Sequence, residues 1–181
     1  MDYRIRLATP LDIDYLPKIE KAAAKCYVPY LSKLGLTPDK LENVVSIDFL
    51  HQAQCQQHLW VAVPVDIQKT SPVGFVVIDR LAKGFFVVEL DVAPDYSRRG
   101  IGSALVNQVL TEARHQQLAT VTLTTFRYVP WTIPFYRRLG FEIVVPSNYT
   151  PNIRAIVNHE ERHGFSRHVR VVMQCQILNP T

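Results

Sequence analysis

Cysteine is scarce and scattered. Cys26, Cys55 and Cys175 are the only three in 181 residues, and no two form a CxxC pair. An odd, dispersed set argues against a disulfide framework and against a cysteine zinc site, and fits inert thiols in the reducing cytoplasm. Long apolar runs are missing too. No stretch approaches the roughly 20 residues that a membrane helix needs, and the opening residues MDYRIRLATP lack the apolar core of a signal peptide. A cytoplasmic protein with no membrane partner is therefore expected. No block of five or six basic residues occurs, and a net charge of +4 is too small and too evenly spread to indicate nucleic acid. It is enough to help steer an anionic small molecule. Repeats, low-complexity tracts and domain-splitting linkers are absent as well, so residues 1–181 read as one domain.

What remains is ordinary globular material, 48% hydrophobic and 20% charged. Alternation over Tyr3–Leu7 predicts a first strand. Thr9 and Pro10 open a helix over about Leu11–Cys26, broken by Tyr27-Val28-Pro29, and Pro38 starts a second helix through about Gln57. Strands follow at Leu59–Val63, Val73–Leu81 and Gly84–Val92, the first two joined through the turn-rich Lys69-Thr70-Ser71-Pro72. Gly100–Gln116 is an amphipathic helix and Ala119–Thr125 a strand. Pro130–Leu139 is a short helix ended by Gly140, Phe141–Val145 a strand, Pro151–His163 a helix ended by Gly164, and Val169–Ile177 a last strand. This order gives an α/β (α+β) chain: a mixed sheet of about seven strands with helices packed on it. Helix-linked strands suggest parallel neighbours, and three closely linked strands suggest an antiparallel meander.

The stretch that carries chemistry runs from Glu89 to Leu105. A strand ends near Val92, an irregular turn follows, and a helix opens on Gly100 and Gly102. The first four N–H groups of a helix lack internal partners, and the macrodipole places partial positive charge there. Glycines let a phosphate approach the backbone, and Arg98 and Arg99 add charge beside it, which makes a diphosphate site. A P-loop would need Lys followed by Ser or Thr after the second glycine, but Ser103-Ala104 stands there. A dinucleotide fingerprint would need a small residue where Leu105 stands, early in the chain.

The pattern Val92-x-Pro94 … Arg99-Gly100-Ile101-Gly102-x-x-Leu105 resembles the acetyl-CoA motif of the GNAT N-acetyltransferases. Phe135-Tyr136-Arg137-Arg138-Leu139-Gly140-Phe141 is similar to that family's later helix, and the order of elements matches from Tyr3 to about Ile177. Two positions depart from it. Ser97 stands where the family usually has Gln or Arg, and Val129 where an Asn is often found seven residues before the Tyr.

The resemblance implies a mostly antiparallel sheet flanked by helices on both faces. It also implies direct transfer of acetyl from acetyl-CoA to a primary amine of a small molecule or peptide, with no metal. Backbone groups of Leu90 and Val92 would hold the pantetheine arm. Arg98, Arg99, Gly100, Ile101, Gly102 and Ser103 would hold the pyrophosphate, and strands splayed around Val92 and Thr122 would form the slot. Tyr136 takes the position of the general acid and touches the cofactor. Glu89 is the first candidate for the base and Asp91 the second, two apart on one strand face; proton loss to water needs neither. Tyr30, Phe126, Arg127 and Trp131, with Tyr27 and Tyr128, are candidate acceptor-site residues, and Arg127 suits a carboxylate. His159 and His163 have i, i+4 metal spacing, but a charged helix face is the simpler reading. The segment from Pro151 to His168 is expected to form a flap near the acceptor. Homodimerisation is common in the family. A non-catalytic acetyl-CoA sensor and a protein N-terminal or lysine acetyltransferase are the alternatives.

Overall fold

The computed structural model describes residues 2–65 and 71–177. Lys69 and Thr70 of the expected turn lie outside the described residues. Seven strands, β1 (Tyr3–Leu7), β2 (Leu59–Pro64), β3 (Gly74–Leu81), β4 (Gly84–Val92), β5 (Thr120–Phe126), β6 (Glu142–Ile143) and β7 (Arg170–Gln176), form one sheet in the order β1-β2-β3-β4-β5-β7-β6. All neighbours are antiparallel except β4 and β5. Among the described residues, six α-helices, α1 (Leu16–Ala24), α2 (Leu31–Leu34), α3 (Ile47–Cys55), α4 (Ile101–His115), α5 (Thr132–Arg137) and α6 (Pro151–Arg162), accompany the sheet, with short 3-10 turns. One core joins the sheet to Ile101, Leu105 and Val109 of α4. A second, holding Phe75 and Val77, joins the sheet to α1 and α3, so helices lie on both faces. Among the described residues no helix is long and apolar enough to cross a membrane.

Three expectations about the elements are corrected. The single helix over Leu11–Cys26 is a 3-10 turn (Pro10–Tyr15), then α1, then a second 3-10 turn (Lys25–Tyr30). Pro17 sits at the start of α1 and has no N–H to continue an α-helical ladder from the residues before it. The helix over Pro38–Gln57 is also two pieces, a 3-10 turn at Pro38–Glu42 and α3. Between them the Val45 N–H turns to the Glu20 carboxylate, 3.1 Å from each oxygen, and Ser46 caps α3 by accepting from the Phe49 N–H. Finally, helix-linked strands are parallel neighbours only once, through α4. The α6 connection returns β7 antiparallel to β6 and inserts it between β5 and β6.

Two irregularities of β4 position the site. Its register against β3 jumps from Val77↔Glu89 to Ile78↔Val87, so Val88 is an extra, bulged residue. Phe85 and Val87 pack in the α4 core. Strict alternation would send Glu89 and Asp91 into that same apolar layer. The bulge reverses the parity: Leu90 and Val92 pack toward α4, and Glu89 and Asp91 face the opposite side. The second irregularity is an early parting of strands. β4 and β5 pair only from Gly84↔Thr120 to Val87↔Leu123, after which β4 follows β3 and β5 follows β7.

Candidate active site

The wedge opened by that parting is bounded by Val88–Val92 on one side and Thr124–Phe126 on the other. The Ala93 N–H donates to the Val73 carbonyl at 2.8 Å. Antiparallel alternation then directs the backbone groups of Leu90 and Val92 away from β3, into the wedge. Among the described residues, the Leu90 N–H donates there to the Glu89 carboxylate, at 3.3 Å. Thr122 is placed differently from expectation. It is still paired with Phe86, fully buried, and accepts from the Gln174 side chain at 2.9 Å. The strands diverge one residue later, and Thr124 is the threonine at the opening.

At the α4 end of the wedge, the turn takes left-handed backbone at Arg98 (φ 59°) and Gly100 (φ 82°). Gly100 caps α4, and Ala104 is the first residue whose N–H returns to it. The N–H groups of Ile101, Gly102 and Ser103 are thus the open first turn of a 15-residue helix. A Cβ on Gly102 would stand 3.5 Å from the Phe135 ring and 3.9 Å from Val92 Cγ2, which places the turn against α5 and the end of β4. Arg98 and Arg99 are exposed there, with Arg99 over the Tyr96 ring at 5.6 Å. The geometry suits a diphosphate: open amides, no side chain at Gly102, and two guanidinium groups nearby.

Three carboxylates gather on the other side. One oxygen each of Glu20, Glu89 and Asp91 lie within 4.8 Å of one another. Burial is the first cause that raises all three. The Glu20 carboxyl rises to about 8, with Glu89 as the second cause. Asp91 is raised well above the carboxylate range by burial and by the charges of Glu89 and Glu20. Glu89 is raised by burial, opposed by the Leu90 N–H and by Arg170. Like charges this close cannot all ionise, so the trio keeps at least one proton at neutral pH, with Glu20 raised to about 8. Among the described residues this is also the one grouping that could ligate a hard cation. The His159 and His163 rings instead lie tilted against each other, centroids 4.1 Å apart, at the C-terminal end of α6.

Tyr136, half-buried on α5, packs edge-on against Phe135 and Phe141. Burial first, then the charges of Glu89 and Asp91, push its phenol well above the ordinary value. It is therefore a protonated donor facing the carboxylates. Tyr27, Tyr30, Phe126 and Trp131 form one aromatic group, with Tyr27 at 5.1 Å from Phe126 and 6.3 Å from Trp131, and Tyr30 at 5.3 Å from Trp131. Arg127 lies apart from them, facing α6. Val129 is buried with Leu34, Phe126 and Val169, so the position that departs from the family pattern belongs to a core.

Sequence reasoning missed Glu20, Thr124 and Arg170. Arg170 donates to Thr124 Oγ1 at 2.6 Å and to both oxygens of Glu160, and Thr124 donates to Glu160. Its guanidinium also covers the Phe126 ring at 4.7 Å. Glu20 left a signal: it sits beside Ile19 on the apolar stripe of α1 and is only 7% exposed. An acid on a buried stripe requires a partner or a task.

The model of the acetyltransferase (GNAT) family matches residues 20–141, well over half of the chain. The chain belongs to the GNAT acetyltransferase family. Solved structures of similar fold include the PaiA N-acetyltransferase of Thermoplasma acidophilum in complex with coenzyme A (14% identity, 97% of this chain and 99% of that one, TM-score 0.73). The ribosomal-protein-S18-alanine N-acetyltransferase of Escherichia coli is similar over 99% of this chain and 97% of its own (17% identity, TM-score 0.66). N-acetylglutamate synthase of Neisseria gonorrhoeae, complexed with coenzyme A and N-acetyl-glutamate, matches 99% of this chain with 36% of its own (13% identity, TM-score 0.71). At these identities the likeness to the solved structures is one of fold. This GNAT chain thus has the mostly antiparallel sheet that its sequence motifs imply.

Proposed function

We propose that this GNAT chain transfers acetyl from acetyl-CoA to a primary amine by direct attack. The observation that carries the reading is the convergence of three things on one opening: the parted β4 and β5, the open first turn of α4, and Tyr136 with the Glu20, Glu89 and Asp91 carboxylates. Coenzyme A in the Thermoplasma and Neisseria structures supports the same use of the fold.

The pyrophosphate is assigned to the N–H groups of Ile101, Gly102 and Ser103 and to Arg98 and Arg99, and the pantetheine arm to the backbone of Leu90 and Val92. Acetyl-CoA supplies an activated thioester carbonyl. The carboxylate trio draws an ammonium toward that carbonyl and accepts its proton, with Glu89 as first acceptor and Asp91 or water as the alternatives. Attack of the free amine forms the C–N bond through a tetrahedral intermediate. The C–S bond then breaks, the Tyr136 hydroxyl donates its proton to the departing thiolate, and the new amide nitrogen gives up its second proton, which restores the tyrosine hydroxyl. Tyr30, Phe126 and Trp131 wall the acceptor side. The absence of a metal, a cytoplasmic location and a homodimer belong to the same proposal.

The test is release of the coenzyme A thiol from acetyl-CoA across a panel of amines. Amine-dependent release is the expected result. Binding of acetyl-CoA with no release for any amine would leave the non-catalytic sensor, the reading for which the departure at Val129 leaves room.

A further inference from the structure

A cavity of about 550 Å³ lies between α6 and the β5-β7-β6 part of the sheet. Its apolar side includes Val157 and Val172, and Arg127, Arg154, Arg167 and Arg170 stand in its polar lining. No Asp or Glu is among its lining residues. Arg167 is paired with Glu161 and Arg170 with Glu160. Among the described residues, neither Arg127 nor Arg154 forms an ion pair. Arg154 donates through Nε to the Tyr149 carbonyl at 3.0 Å, and its terminal nitrogens make no bond to the described residues. The cavity therefore carries more guanidinium than carboxylate, over an apolar wall, in the size range of small-molecule sites. Guanidinium groups recognise carboxylates and phosphates through paired hydrogen bonds, so an oxyanion entering here gains charge-assisted bonds and relieves repulsion among the arginines.

We propose that this cavity binds the carboxylate or phosphate group of a small organic anion. The α4 turn is a different place: the two share no residue. Arg170 and Thr124 form the wall between the cavity and the wedge. Arg170 is also the cation that partly offsets the burial-driven rise in the pKa of Glu89 and Tyr136. The anion has two possible sources, the far end of the acceptor itself or a separate effector, and only that distinction rests on the acetyltransferase reading.

Titration calorimetry at low ionic strength, with saturating coenzyme A present, tests the site with inorganic phosphate and with succinate. Saturable binding is expected for at least one of them, weakened at least tenfold in the Arg127→Ala/Arg154→Ala double variant while coenzyme A affinity stays within twofold. No saturable binding, or equal affinity in the double variant, overturns the proposal. In steady-state kinetics with an accepted amine, competition between the bound anion and the amine assigns the cavity to the acceptor. A mixed or noncompetitive effect assigns it to an effector. If no amine is accepted, the acetyltransferase reading fails, and the calorimetry still decides the cavity.

Discussion

Glu20 is the residue whose environment is most at odds with its chemistry. Its carboxyl is raised to about 8 from 4.5 by burial and by Glu89. The folded chain therefore holds a proton that the unfolded chain releases as pH climbs past about 4.5. Stability from this group is full below that pH and is lost as pH rises toward 8. Glu20→Gln keeps an oxygen for the Val45 N–H and removes the titration. It should stabilise the protein by about 4 kcal/mol at pH 8 and by almost nothing at pH 4.5, read as denaturant midpoints at the two pH values. Equal shifts at both would show that the carboxyl is unperturbed. Tyr136→Phe should lower kcat by about 100- to 10,000-fold, the usual range for a lost general acid, with acetyl-CoA affinity within twofold; full activity would remove Tyr136 from the chemistry. Glu89→Gln should lower kcat/KM and change its pH profile, and an unchanged profile would pass the proton to Asp91 or water. Residues with a local signature, such as Tyr136 and the α4 glycines, were legible in the sequence. Glu20, Thr124 and Arg170 were not assigned, because their roles come from contacts with residues distant in the chain.

Elements explain why the site is open where it is. Period-2 and period-3.6 patterns identified all seven strands and the span of α4, and the Gly140 and Gly164 stops match left-handed backbone (φ 87° and 93°). The Val88 bulge was illegible, since both Val88 and Val87 suit a strand equally, yet it decides which face receives Glu89. The same limit applied to the first helix, where Pro17 sits within an otherwise amphipathic stretch. At the α4 turn, Gly100 is held at φ 82°, a region costly for residues with a Cβ. Gly100→Ala should cost about 1 kcal/mol of stability and weaken acetyl-CoA binding by disturbing the first-turn amides. Thermal unfolding and a titration of the variant measure both effects. An unchanged affinity would mean that the turn geometry is irrelevant to the cofactor.

At the scale of the whole molecule, the chain separates charge across one sheet. Arginines stand at the α4 turn and in the α6 cavity, and the carboxylates stand between them, at the wedge. An anionic cofactor and a cationic amine thus have separate approaches to a common centre. The family and the fold class could be read from two motifs and the order of elements. The α6 cavity could not, because it exists only where β7 returns between β5 and β6. The central claim is that the parted strands and the α4 turn hold acetyl-CoA. Isothermal titration of acetyl-CoA into the wild type and Gly102→Glu tests it most directly. A side chain there first meets the Phe135 ring at ordinary contact distance, so the variant is expected to fold. One-to-one saturable binding by the wild type, lost in Gly102→Glu, is the predicted result. No binding by the wild type, or equal binding by a folded variant, would contradict the account.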